Sequence, residues 1–81
     1  MTDGGREDFA RAIIDWYKDH PTRKYHMTKI MLGKIKLNGR PLTKGEMRSG
    51  ITFAHRHGCM RRTSNTRWEI VSYKFKKIKK Q

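Results

Sequence analysis

In PLTKGEMRSGITFAHRHG, residues 41 to 58, a helix is delimited at both ends by its own chemistry. Thr43 and Glu46 form a capping box, in which the threonine side chain takes the N–H three residues on and the glutamate reaches back to the first free N–H. Gly58 supplies the stop. A helix is therefore predicted from Thr43 to about His57. At about 100° per residue, Met47, Gly50, Ile51 and Ala54 share one side, and that side should be the core. The opposite side carries Gly45, Ser49, Thr52 and Arg56, flanked by Lys44 and Arg48, with no acidic residue among them.

Two further segments have a helical pattern. In REDFARAIIDWYKDHP, Phe9, Ile13, Trp16 and Tyr17 recur at helical spacing, Glu7 and Asp8 suit the positive end of the dipole, and Pro21 marks the stop. TRKYHM alternates, with Tyr25 and Met27 on one side, which predicts a short strand before Thr28 caps a second helix. That second helix, TKIMLGKIKLNG, would run to Asn38 and Gly39, with Ile30, Met31, Ile35 and Leu37 on a broad face where Lys34 must snorkel. A rival reading makes KIKLNGRPL a hairpin about Asn38 and Gly39. Pro41 in the second arm favours the helix, although an edge strand would tolerate it.

After Gly58 the pattern changes from helical to alternating. Segments 59–62 and 67–71 read as two strands around the polar turn TSNT, with Trp68 and Ile70 on one face and Arg67, Glu69 and Val71 on the other. Arg61, Arg62 and Arg67 give that hairpin a basic tip. The closing SYKFKKIKK extends the alternation through Phe75, so residues 1–75 are expected to be one domain and 76–81 a basic tail.

Size and charge bound the function. With 81 residues there is room for one small core, too little for a cofactor domain and multi-step catalysis. Twenty Lys and Arg against seven Asp and Glu give a formal charge of +13, which points to a polyanionic partner. Nucleic acid is the first expectation, with an acidic protein surface as the alternative. No apolar run approaches the roughly 20 residues that span a bilayer, and MTDGGREDF is acidic where a secretion signal would be basic then apolar. A cytoplasmic, nucleoid-associated protein (nuclear in a eukaryote) is expected, without membrane attachment.

The order helix, short strand, helix, helix, arginine-bearing hairpin, together with LNGRPLTKGEMRSGITFAHRHGCMRRTSNTRWEI, resembles a winged-helix DNA-binding domain over about residues 6–71. The resemblance implies a small α+β fold whose third helix enters the major groove of double-stranded DNA while the hairpin wing meets the backbone. Carried onto this chain, it makes Arg48, Ser49, Thr52 and Arg56 the base-reading candidates, Arg48 first because a bidentate guanidinium on guanine is the commonest specific contact. Phosphate-binding candidates are Lys44, Arg61, Arg62, Arg67 and the helix start at Thr28 and Lys29. Transcriptional regulation or an accessory role on DNA would follow, by a monomer or a weak homodimer. A winged helix that holds or inhibits an acidic protein, or an RNA-binding module, is the competing use.

Other constellations point to simpler roles. HRHGC invites a metal reading, but His55 and His57 would lie on different sides of a helix and no second Cys or His pair stands at finger spacing, so neither metal nor cofactor is expected. Cys59, the single cysteine, should fill space. Asp3, Glu7, Asp8, Asp15 and Asp19 all sit on or before the first helix, and Glu46 is occupied by its cap, leaving no catalytic set. Trp16 and Trp68 read as core aromatics, and Phe53 should pack against the wing.

Overall fold

The computed structural model describes residues 5–76. The chain runs α1 (Gly5–Asp19), β1 (Tyr25–His26), α2 (Thr28–Met31), β2 (Lys36–Leu37), β3 (Arg40–Pro41), α3 (Lys44–Arg56), β4 (Met60–Arg62) and β5 (Trp68–Ile70). Strands β1, β5 and β4 form one antiparallel sheet in that order, and β2 pairs with β3 alone. Three helices with a C-terminal hairpin, and a short strand after the first helix, make an α+β arrangement consistent with a small winged helix.

The core lies between α1 and α3. Helix α1 buries Ala10, Ile13, Ile14 and Tyr17, while Phe9 and Trp16 are only half-buried at its edges. The buried arc turns toward Ala10 because α3 comes very close. A Cβ at Gly50 would stand 2.8 Å from Ile13 Cδ1 and 2.9 Å from the Phe9 carbonyl carbon, so a small residue is required at the crossing. The capping box at Thr43 and Glu46 forms as expected, and Met47, Gly50, Ile51 and Ala54 are the buried positions of α3. Its far end closes through two bonds in the Schellman pattern: Gly58 N–H to His55 O at 3.1 Å and Cys59 N–H to Ala54 O at 2.8 Å.

The predicted second helix over residues 28–38 is the main correction. Only one helical turn, Thr28–Met31, forms, and the cap position is Met27 rather than Thr28, with no side-chain cap bond. The chain then makes the hairpin that the rival reading described. Lys36 faces Pro41 and Leu37 faces Arg40, which leaves Asn38 and Gly39 as a two-residue loop with φ of 55° and 81°. Two consecutive positive φ values are the type I′ requirement that Asn-Gly satisfies at low cost. Pro41 does not interfere, because a two-stranded ribbon has only edges and Pro41 is exposed. Alternation also removes the difficulty of Lys34: Ile35 points inward at 1% exposure, while Lys34 and Lys36 face solvent.

Two smaller expectations also change. On β1 the buried residue is His26, whereas Tyr25 is 50% exposed, because the register His26 to Trp68 puts His26 on the inner face of the sheet. Strand β5 ends at Ile70 and does not run through Phe75. The Cys59 carbonyl captures the N–H groups of both Val71 and Ser72, at 2.9 and 3.3 Å, and turns the chain back across α3. Phe53 then packs on His57 and near Phe75, with centroids 4.1 and 6.0 Å away, in place of the wing contact expected for it. Lys76, assigned from sequence to the tail, donates its N–H to His57 O at 2.9 Å. The rest of that basic tail, and Asp3, lie outside the described residues.

Candidate nucleic-acid interface

Lys44, Arg48, Thr52 and Arg56 follow one another at intervals of four on α3, and all four are exposed. Such a row is inclined by about 26° to the axis, winding about 120° around the helix while it spans about 18 Å at 1.5 Å per residue. Gly45 is exposed beside it and Ser49 is half-buried. A Cβ at Gly45 would meet nothing within 4 Å, so the packing of this chain does not require glycine there.

The acids are held away from this row. Among the described residues three ion pairs form, Arg11 with Glu7, Arg40 with Glu46 and Arg61 with Glu69, and none involves Lys44, Arg48 or Arg56. Asp8, Asp15 and Asp19 stand at i, i+7 and i+11 on the face of α1 opposite its buried arc. There they line a groove of 450 Å³ with Trp16, Leu37 and Lys36. The outward face of α3 therefore combines cations with a low surface and no carboxylate.

Helix α3 is fixed at its first turn by more than its cap. Arg40, on β3, forks onto the Glu46 carboxylate with Nη1 to Oε1 at 3.1 Å and Nη2 to Oε2 at 3.0 Å, while the Thr43 N–H donates to the same Oε1 at 2.9 Å. The Arg40 bonds, then the backbone donor, hold the Glu46 carboxyl below its ordinary pKa, and the same pairing raises that of Arg40. The cap was legible in the sequence. The arginine fork was not, because it needs the β2–β3 hairpin to bring Arg40 alongside.

On the wing the arginines serve the loop first. Arg62 donates from Nε to Ser64 O at 3.1 Å and from Nη2 to Asn65 O at 3.2 Å, tying off two turn carbonyls. Arg67 Nε donates to Thr63 Oγ1 at 3.4 Å, and its guanidinium lies 4.8 Å from the Tyr25 ring centroid. Arg61 is paired with Glu69. All three guanidinium groups stay exposed and retain unused donors. Thr28 and Lys29 head the single turn of α2, which packs against α3. The Thr28 hydroxyl is hydrogen-bonded to His26 Nε2 at 3.0 Å, and one helical turn offers little dipole.

The histidines and the cysteine that suggested a metal are each engaged with backbone. His55 Nδ1 donates to Met60 O at 3.0 Å, His57 Nδ1 to Lys76 O at 2.7 Å, and Cys59 Sγ to Lys74 O at 3.3 Å. Burial pushes the Cys59 thiol pKa up, against the opposing charges of Arg11 and Lys76. Among the described residues no three His, Cys, Asp or Glu side chains gather closely enough to hold a metal ion. No helix among them is long and apolar enough to cross a membrane.

Comparison with known protein families, with curated proteins and with solved structures finds no match for this chain.

Proposed function

We propose that this chain binds double-stranded DNA as a winged-helix module, with α3 in the major groove and the β4–β5 wing against the backbone. The observation that carries the reading is the exposed row Lys44, Arg48, Thr52 and Arg56, free of carboxylates on a chain of charge +13. Gly45 adds support. In a helix it is a conformational cost that the fold does not demand, and a backbone left bare at the entry of α3 suits close approach to a groove.

Roles divide by position. Arg48 and Arg56 read base edges, with Ser49 and Thr52 as shorter partners, and Lys44 takes a phosphate at the helix entry. Arg62 and Arg67 shape the wing tip and offer their remaining donors to the backbone beside it, as does Arg61. The product is a transcriptional regulator or accessory DNA factor acting in the nucleoid, or in the nucleus of a eukaryote, without ligand chemistry of its own.

The test is a titration of the protein against duplex DNA, structured RNA and an acidic polypeptide over a series of salt concentrations. Duplex preference with a log-log salt slope of about −4 to −8 is the expected result, corresponding to about 0.9 per phosphate contacted. Preference for structured RNA, or for the polypeptide, sinks the duplex reading.

A further inference from the structure

The outer face of the β1–β5–β4 sheet is unlike the outer face of α3. Tyr25, Glu69 and Arg61 face one another across the three strands, and Val71 lies two residues beyond Glu69 on the same side. Tyr25 and Val71 are each 50% exposed. The Arg67 guanidinium is stacked over the Tyr25 ring and held from behind by the Thr63 hydroxyl, which itself donates to Arg67 O at 3.1 Å. The carboxylate on this face, Glu69, is neutralised by Arg61, whose side chain remains 69% exposed. The face thus presents an ordered aromatic–guanidinium stack beside a second exposed cation.

We infer that this face binds an unpaired nucleotide strand, with a base stacked on the Tyr25–Arg67 pair and its phosphate on Arg61. A base has a π-face that the phenol and the guanidinium plane both match, and the two arginines, offset by Glu69, leave one net positive charge to complement a phosphate. Acidic side chains would satisfy the arginines but present no flat π-face to the stack. The site lies off the α3 row but shares Arg61 and Arg67 with the wing contacts proposed for duplex DNA, so Tyr25 is the residue whose loss separates the two readings, and the site equips the chain for melted or forked nucleic acid.

The experiment uses the full chain and three fluorescent probes: oligothymidylate and oligouridylate of about ten nucleotides, and a blunt duplex. The wild-type protein should bind oligothymidylate, and Tyr25→Ala should weaken that binding by about tenfold or more, whereas Tyr25→Phe, which keeps the ring, should stay within about twofold. Duplex affinity should fall far less than oligothymidylate affinity in Tyr25→Ala, because Arg67, which Tyr25 supports, is one of several proposed duplex contacts, and thermal melting checks that both variants fold. Parallel loss of both oligomers in Tyr25→Ala supports the site, and the tighter of the two identifies whether its source is DNA or RNA. No wild-type binding to either oligomer, no effect of Tyr25→Ala, or equal loss on oligomer and duplex overturns the inference. Tyr25-dependent oligomer binding by a protein that ignores duplex would leave this site standing and remove the major-groove role of α3.

Discussion

The Tyr17 hydroxyl on α1 is hydrogen-bonded to His26 Nδ1 on β1 across 2.7 Å, inside a core from which both side chains are fully withdrawn from solvent. Through the other ring nitrogen His26 is hydrogen-bonded to the Thr28 hydroxyl at the start of α2, so one neutral imidazole links three elements. Burial lowers the His26 pKa from 6.5 to about 4, and it raises that of Tyr17, an effect which nearby Arg23 only partly offsets.

Acid should therefore destabilise the fold through His26. Because the native pKa lies below the unfolded one, the stabilisation is fully present above pH 6.5 and is lost as pH falls toward 4. The full loss is about 3 kcal/mol, and about 2 kcal/mol should be gone by pH 5. Urea unfolding at pH 7.5, 6 and 5 checks this. A midpoint that does not move over that range would mean that His26 is not buried as a neutral ring.

Tyr17→Phe keeps the packing but removes the hydroxyl partner of Nδ1. Leaving that buried ring nitrogen unpaired should cost about 1–3 kcal/mol, read as a drop in urea midpoint at unchanged slope.

Gly50→Ala should destabilise by about 1–3 kcal/mol in thermal or urea unfolding, since the added methyl meets the backbone of α1 at Phe9 and Ala10 as well as the end of the Ile13 side chain. Gly45→Ala is the contrast. Open space surrounds that position, so stability should hold or rise, while duplex affinity should fall if the bare backbone approaches a groove.

Arg48→Ala should weaken binding to a selected duplex site more than to random duplex, at about 1–3 kcal/mol for a bidentate base contact. Lys44→Ala should weaken both equally and make the salt slope shallower by about 0.9. Equal losses on both duplexes for Arg48→Ala would reassign it from a base edge to a phosphate.

Thr43→Ala should cost about 1 kcal/mol of stability through the lost cap bond to Glu46 N–H. Thermal melting reads it, and a smaller shift would show that Arg40 and Glu46 hold the helix entry without the hydroxyl.

Local chemistry alone determined α1, the capping box and core face of α3, and the hairpin after Gly58, because each is specified by residues within one or two turns of each other. The cationic row on α3 was legible for the same reason. What tertiary structure decided was where periodicity was ambiguous or partners were distant. Residues 32–41 carry enough apolar positions for either a helix or a hairpin, and the positive φ values at Asn38 and Gly39, with Ile35 drawn into the core, select the hairpin. The fork of Arg40 on Glu46, the burial of His26 in place of Tyr25, and the turning back of the chain after Ile70 each depend on a partner from another element. Such contacts cannot be read from spacing, because a side chain's burial is set by the register of the neighbouring strand and the packing across the core, not by its own neighbours in sequence.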